Sequence, residues 1–389
     1  MPENPWASFP SQTSVPDSLS ELRADIPPLS DRMYFNWGAS GPSPRTVVSA
    51  SNAVLEYHEF QAPAGAGMYP VADEIFESAR ESIADLLGVS TAEIALTQST
   101  TEGINRIATS IDWDPGDVIV TTDLEHAAGR LPWTRLEAAA GIDVRVLETD
   151  QGQIDLEALE QAVRDAELLC VSAIDWIYGR THPVREMVQI AHEHDALALV
   201  DAVQAPGQRP VDLHDWNADF VAGAGHKWVL GPWGAGYLYV SETVTETLEP
   251  IHVGYRSVSE ASGGRYEFYD EAKRFELGTM SPGPFAGLQT AIETIQQVGI
   301  DAIHEQIQSL RSRFVDEIPH DRLRSPPESP TGLITIQASN PESVVEQFDS
   351  NDISVRALPL PDSIRVSIHA MNTEAEIDAL HSALHATWE

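Results

Sequence analysis

The stretch GAGHKWVLGPWGAG, residues 223–236, contains Lys227. The chain has 389 residues and twenty-one arginines but only one other lysine, Lys273. A lysine amine whose pKa is lowered by its surroundings can attack a carbonyl and form a Schiff base. Three further clusters could serve the same chemistry. LALVDAVQ ends an apolar run at Asp201, with Gln204 three residues on. A carboxylate directly after a buried strand needs a partner. It caps a helix, or it holds a cationic ring nitrogen. VIVTTDLEH ends at Glu125 and His126; a lone histidine there also reads as an ordinary satisfied polar residue. TQSTTEGIN brings Ser99, Thr100 and Thr101 to the start of a helix. Hydroxyls and free N–H groups at a helix N-terminus suit a phosphate, although Ser and Thr are also common caps.

The elements that must position these residues are legible as alternating patterns. EIALTQ, DVIVTT, DVRVLETD, ELLCVSAI, LALVDAV, ADFVAGAG and GAGYLYVS read as strands, with helical segments between most of them. That alternation predicts an α/β fold: a mostly parallel seven-stranded sheet covered by helices on both faces. Ligands of such sheets bind beyond the carboxyl ends of the strands. Each cluster above follows an apolar run, so the amine, the acid and the phosphate donors fall on one rim. Pyridoxal phosphate needs an amine for its aldehyde, an acid for its ring nitrogen and donors for its phosphate. The first 30 residues carry six prolines and read as an arm, with a short helix possible in SLSELRADI. Residues 31–282 read as the large domain and 283–389 as a smaller α+β domain with one long or broken helical stretch at its start.

Bulk composition excludes several classes. Hydrophobic residues make up 42% of the chain, as in a globular protein. Sixty acidic residues against 23 basic ones give a net charge of −37. Such a field repels nucleic acid and anionic membranes. No apolar run approaches the roughly 20 residues of a membrane span, and the start lacks a secretory pattern, so a cytoplasmic protein is expected. Acids spread along the whole chain, with lysine nearly absent, read as adaptation to high salt rather than as an ordinary acidic protein. The one cysteine, Cys170, lies in an apolar strand and reads as a small core residue. His192 and His194 in AHEHD look like the polar end of a helix, and no metal site is expected.

Taken in order, TQSTTEGIN, TTDLEHAAGRLPW, VDAVQAPGQRPVDL, ADFVAGAGHKWVLGPWGAGYLYV, RFELGT and SIRVSIHAMNT resemble the class V aminotransferase family. That family groups with cysteine desulfurases, selenocysteine lyases and isopenicillin-N-epimerase-like proteins. The resemblance runs from YFNWGASGPSP to the C-terminus. It implies a fold-type I pyridoxal phosphate enzyme with Lys227 as the Schiff-base lysine. It also implies that Asp201 pairs with the ring nitrogen, Gln204 contacts the ring hydroxyl and His126 stacks on the ring. Thr100, Thr101 and His226 would hold the phosphate, with Gly278 and Thr279 closing that site from a second subunit of a homodimer. Arg365 would clamp the carboxylate of an amino acid substrate. Three departures stand out. VRALPLPDSIRVS has no cysteine where desulfurases carry their nucleophile. Ala224 replaces a serine, and Trp176 stands in place of an asparagine and would wall the pocket. The expectation is therefore transamination, elimination or epimerisation of an amino acid, without the persulfide chemistry of a desulfurase. A cofactor-binding accessory protein without turnover is the alternative.

Overall fold

The computed structural model describes residues 14–262 and 264–388. Most of the proline-rich arm, residues 1–13, lies outside the described residues. Its remainder forms the short helix Leu19–Ala24, and Arg23 pairs with Glu376 at 2.7 Å.

In chain order the first eight strands are β1 (Met33–Tyr34), β2 (Ile94–Thr97), β3 (Val118–Thr122), β4 (Asp143–Leu147), β5 (Ala166–Ser172), β6 (Leu197–Asp201), β7 (Phe220–Ala224) and β8 (Gly236–Val240). All but β1 form one seven-stranded sheet in the order β2-β8-β7-β6-β5-β3-β4. β8 runs antiparallel to both its neighbours, and the other pairs are parallel. The sequence of these strands explains their place. β2, β3, β7 and β8 are buried at every position. Successive residues feed different cores: Val200 and Val221 pack with Ile75 and Leu213 on one face. Leu199 and Ala222 pack with Ile104 and Trp133 on the other. Continuous apolar runs are required when helices cover both faces.

Beyond the sheet come a hairpin of β9 (Val258–Ser262) and β10 (Arg265–Phe268), then β11 (Leu333–Gln337), β12 (Ile353–Ser354), β13 (Arg356–Ala357) and β14 (Ser363–Ser367). The hairpin is absent from the sequence reading because nearly all of its residues are solvent-exposed and carry no apolar pattern. The long helical stretch breaks into Pro282–Val298 and Ile300–Asp316 at Gly299, whose φ of 93° halts the first helix. β11, β14 and β13 form a small antiparallel sheet. β1 pairs with β12, and Asn36 bridges to Ser367. Residues 33–36 therefore ride on the small sheet, and the chain runs from there straight across the rim of the large one. Gly41 N donates to His226 O at 2.8 Å in that crossing.

One buried ion pair fastens the outer strand. Arg80 Nη1 lies 2.7 Å from Glu276 Oε1, and both side chains are nearly free of solvent. Glu276 also accepts from Leu96 N at 2.9 Å, which joins β2 to the segment leading to Gly278. Removing one partner of such a pair strands a buried charge. Glu276→Ala is expected to cost about 3–5 kcal/mol of unfolding free energy in a denaturant titration. A loss below about 1 kcal/mol, typical of an exposed pair, would contradict this account.

Candidate active site

Five strands deliver side chains to one rim. β2 is followed by Ser99–Thr101, β3 by Glu125 and His126, β5 by Trp176, β6 by Val203 and Gln204, and β7 by His226 and Lys227. Asp201 and Ser172 are the last residues of their strands. Arg365 on β14, Arg356 on β13 and Gly38 with Ala39 close the opposite wall. Together they line a cavity of about 170 Å³.

Lys227 faces this cavity, and burial pushes its ammonium down to about 8. Asp201 pulls the other way, while Arg365 and Arg356 reinforce the fall. An amine so placed is half unprotonated near pH 8 rather than near its ordinary 10.5, which favours Schiff-base formation. Asp201 is buried and accepts from Val203 N at 3.0 Å. Burial raises its carboxyl, while that N–H and the Lys227 charge oppose the rise. A cationic ring nitrogen would supply the partner it lacks.

Ser99 and its neighbours divide two tasks that the sequence leaves open. Ser99 Oγ accepts from Glu102 N at 3.2 Å and caps the helix Thr100–Ala108. Thr100 and Thr101 line the cavity, and the buried Thr100 Oγ1 has no hydrogen-bond partner. A spare buried hydroxyl at a helix N-terminus fits a phosphate oxygen. His226 lines the same end, and burial pushes it down to about 4, so its ring is a neutral donor. Ala224 is buried at the end of β7 and offers no hydroxyl.

His126 serves the cap of the helix Ala127–Ala140, its Nδ1 accepting from Ala128 N at 3.2 Å. Its ring stands edge-on to Trp176 at 5.4 Å. Burial, then the charges of Lys227, Arg356 and Arg365, push it to about 4, so it too is neutral. Gln204 is buried: its amide donates to Gly38 O at 3.0 Å and accepts from Trp228 Nε1 at 2.8 Å. One amide N–H remains for a ligand.

Arg365 is 1% exposed. Its Nη1 donates to Trp176 O at 2.8 Å, while Nε and Nη2 have no partner. Those two nitrogens form the planar fork that matches a carboxylate. A side chain at Gly38 would collide with Leu333 and crowd the Arg365 guanidinium. Trp176 is held by its indole N–H, which donates to Leu124 O at 3.0 Å. It walls the cavity, as its replacement of asparagine suggests.

Gly278 and Thr279, expected to serve a second subunit's site, do not line this chain's own cavity, and Thr279 Oγ1 lies 2.9 Å from Tyr255 Oη. Lys273 pairs with Glu77 at 2.9 Å on the surface. Arg356, Ser172, Ile174, Gly38 and Ala39 join the site without having been singled out in the sequence. Arg356 had a visible signal: SVRAL and SIRVS each set an arginine amid apolar strand residues, nine positions apart.

Comparison with known proteins identifies this architecture. The family model for aminotransferase class-V matches residues 33–380. A probable cysteine desulfurase of Methanothermobacter thermautotrophicus is 34% identical, covering 94% of this chain and 96% of its own. One from Pyrococcus abyssi is 30% identical with the same coverage. The apo cysteine desulfurase of Thermococcus onnurineus superposes with a TM-score of 0.86 at 28% identity, covering 96% of this chain and 98% of its own. The cystine C–S lyase C-DES, solved with its reaction product cysteine persulfide, reaches 0.86 at 26% identity over 92% of this chain and 98% of its own. These relatives overturn the expectation that the chain stands apart from desulfurases, and with it the alternative of a silent accessory protein. The inference from one missing cysteine fails because likeness to desulfurases extends over the whole fold. Cys170 is where the sequence puts it, fully buried in β5, with its thiol pushed well up by burial. The chain belongs to the class V aminotransferase family and is a pyridoxal-phosphate-dependent enzyme of fold type I.

Proposed function

We propose that the enzyme removes sulfur from a cysteine-type amino acid, with Lys227 as the Schiff-base lysine. The observation that carries this reading is the convergence of a dry lysine amine and an unpaired arginine fork in one cavity. Sulfur chemistry is supported by relatives named as cysteine desulfurases and a neighbour named as a cystine C–S lyase. When bound, pyridoxal phosphate supplies an electron sink for the pair left at the substrate Cα.

The chain's own residues do the rest. Asp201 would hold the ring nitrogen, and Gln204 has a free amide N–H for the ring hydroxyl. Neutral His126 would lie beside the ring without adding a charge. Thr100, Thr101 and His226 would hold the phosphate, with the Thr100 hydroxyl standing in for the one Ala224 lacks. Arg365 grips the α-carboxylate through Nε and Nη2, which orients the Cα–H bond. Lys227, once its nitrogen is free, takes that proton as a general base. Loss of the Cα proton makes a leaving group on Cβ labile, and in a cysteine-type substrate that group is sulfur.

A homodimer with shared sites belongs to the same reading. Tyr69, Ile251, Tyr255 and Tyr266 are each more than half exposed, and Thr279 lies beside Tyr255, ready to serve a neighbouring site. The charge of −37 supports an enzyme working at high salt. Among the described residues no helix is long and apolar enough to cross a membrane.

Two measurements test this. Incubating the holoenzyme with cysteine and cystine in molar salt should release sulfur at the sulfide or persulfide level. Amino-group transfer to a keto acid, with no sulfur product, would refute the assignment. Sedimentation in the same buffer should return twice the 42.5 kDa chain mass; a fully active monomer would exclude shared sites.

A further inference from the structure

Asp175 does not line the cavity, yet it organises the wall that carries Trp176. It is 0% exposed and lies just beyond the end of β5. Four consecutive backbone N–H groups end on it. Ile177 N donates to its Oδ1 at 3.0 Å, Arg180 N to its Oδ2 at 2.8 Å, and Tyr178 N also to Oδ1. Gly179 N donates to its carbonyl at 3.1 Å. With these N–H groups drawn to one residue, the carbonyls of the loop are left for residues in and beside the small sheet. Arg365 Nη1 donates to Trp176 O at 2.8 Å, and Thr335 Oγ1 donates to Ile177 O. Ser329 Oγ and Thr331 Oγ1 donate to Gly179 O at 2.6 and 2.7 Å. The Arg365 guanidinium is therefore tied to a loop whose backbone Asp175 holds.

A carboxylate this deeply buried needs compensation, and His182 supplies it. Both ring nitrogens of His182 face carbonyl oxygens, Ser172 O at 2.9 Å and Gly152 O at 3.2 Å. A carbonyl only accepts, so both nitrogens donate, as they do in the charged ring. Burial raises the Asp175 carboxyl, and the His182 charge is the foremost influence against that rise. The acid's charge also reaches Arg365. Burial and then Arg356 push that guanidinium down to about 9, and Asp175 is the first charge to oppose the fall. Asp175 thus acts on a substrate carboxylate in two opposite senses. Its charge repels the incoming anion, while its hydrogen bonds hold the fork that receives it. The N–H groups and His182 already offset the charge locally, so the geometric effect outweighs the repulsion. We propose that Asp175 is a positioning residue for substrate binding: it fixes the loop of residues 176–180 and, through it, the Arg365 fork, with His182 as its counter-charge. This rests on the proposed role of Arg365 as the carboxylate clamp, and not on the fate of the sulfur.

The test titrates the holoenzyme calorimetrically with 3-(methylthio)propionate, an unreactive monocarboxylate, and measures kcat and KM for cysteine in parallel. Asp175→Asn keeps the side chain's shape but turns an amide NH2 toward backbone donors. Binding of the competitor should weaken about tenfold, with KM raised and kcat changed by less than about threefold. Borohydride labelling of Lys227 should stay as complete as in the wild type. His182→Gln should weaken binding in the same direction by a smaller factor. The Asp175→Asn/His182→Gln double variant should bind no worse than Asp175→Asn alone, because the histidine acts through the acid. If Asp175→Asn does not fold, Thr335→Val serves instead. It takes the donor from Ile177 O, leaves both charges in place and should weaken the competitor about threefold. Equal or tighter binding by Asp175→Asn would overturn the proposal, as would unchanged binding by Thr335→Val. Loss of the Lys227 label in step with competitor binding would overturn it too, since the whole site would then have collapsed. Additive losses in the double variant would remove His182 from the device. Arg365→Lys separates this inference from the reading beneath it. A competitor that binds Arg365→Lys as well as wild type refutes the carboxylate clamp, whereas weakening there but not in Asp175→Asn refutes only the positioning role.

Discussion

The energetic centre of the site is one amine kept out of water. An ammonium in such surroundings is costly, and proteins commonly respond by lowering its pKa. Here burial does most of that work, and two arginines reinforce it. Asp201 is the acid whose charge opposes the fall. The balance is delicate because the same carboxylate must stay available to a ring nitrogen on the proposed reading. A parallel sheet solves the geometric half of the problem. Adjacent strands β6 and β7 end side by side, so Asp201 and the residues after Ala224 share a rim without any long loop.

A second buried acid shows how the rim is stiffened. Glu125 precedes His126 and accepts from Thr122 Oγ1 at 2.9 Å, Ser172 N at 3.0 Å and Ser172 Oγ at 2.6 Å. Those bonds join the ends of β3 and β5 and fix the backbone that carries the histidine. Burial, and then Asp201, raise Glu125 to about 7 although the Ser172 and Thr122 bonds favour its charged form. Two carboxylates in one dry region do not both ionise easily. The site thus concentrates negative charge near the cofactor's expected ring nitrogen and positive charge on the opposite, substrate wall. In a chain with net charge −37, Lys227, Arg356 and Arg365 make the cavity locally cationic.

The sheet was legible because most of its strands are buried on both faces and read as apolar runs, the edge strand β4 (DVRVL) excepted, and the chemical residues stand where those runs stop. The rim residues Lys227, Asp201, His126 and Thr100 could be named for the same reason. What was hidden depends on tertiary contact. The β9–β10 hairpin has an exposed, polar sequence with no periodic core face. β1 pairs with β12 across more than 300 residues, and that pairing together with the Asn36–Ser367 bridge brings Gly38 to the Arg365 guanidinium. Arg356 joins the site through its register opposite Arg365, which spacing alone does not fix. The desulfurase exclusion went astray differently: it weighed one loop against the whole fold, and the relatives reversed it.

The central claim is that Lys227 is the imine-forming residue and that dryness activates it. Apoprotein can be mixed with pyridoxal phosphate across a pH series, reduced with borohydride and mapped by peptide mass spectrometry. The account predicts pyridoxyl label on Lys227 alone, with a capture rate that rises with pH and is half-maximal near 8. Label on Lys273, or a midpoint at the ordinary lysine value of 10.5, would contradict it.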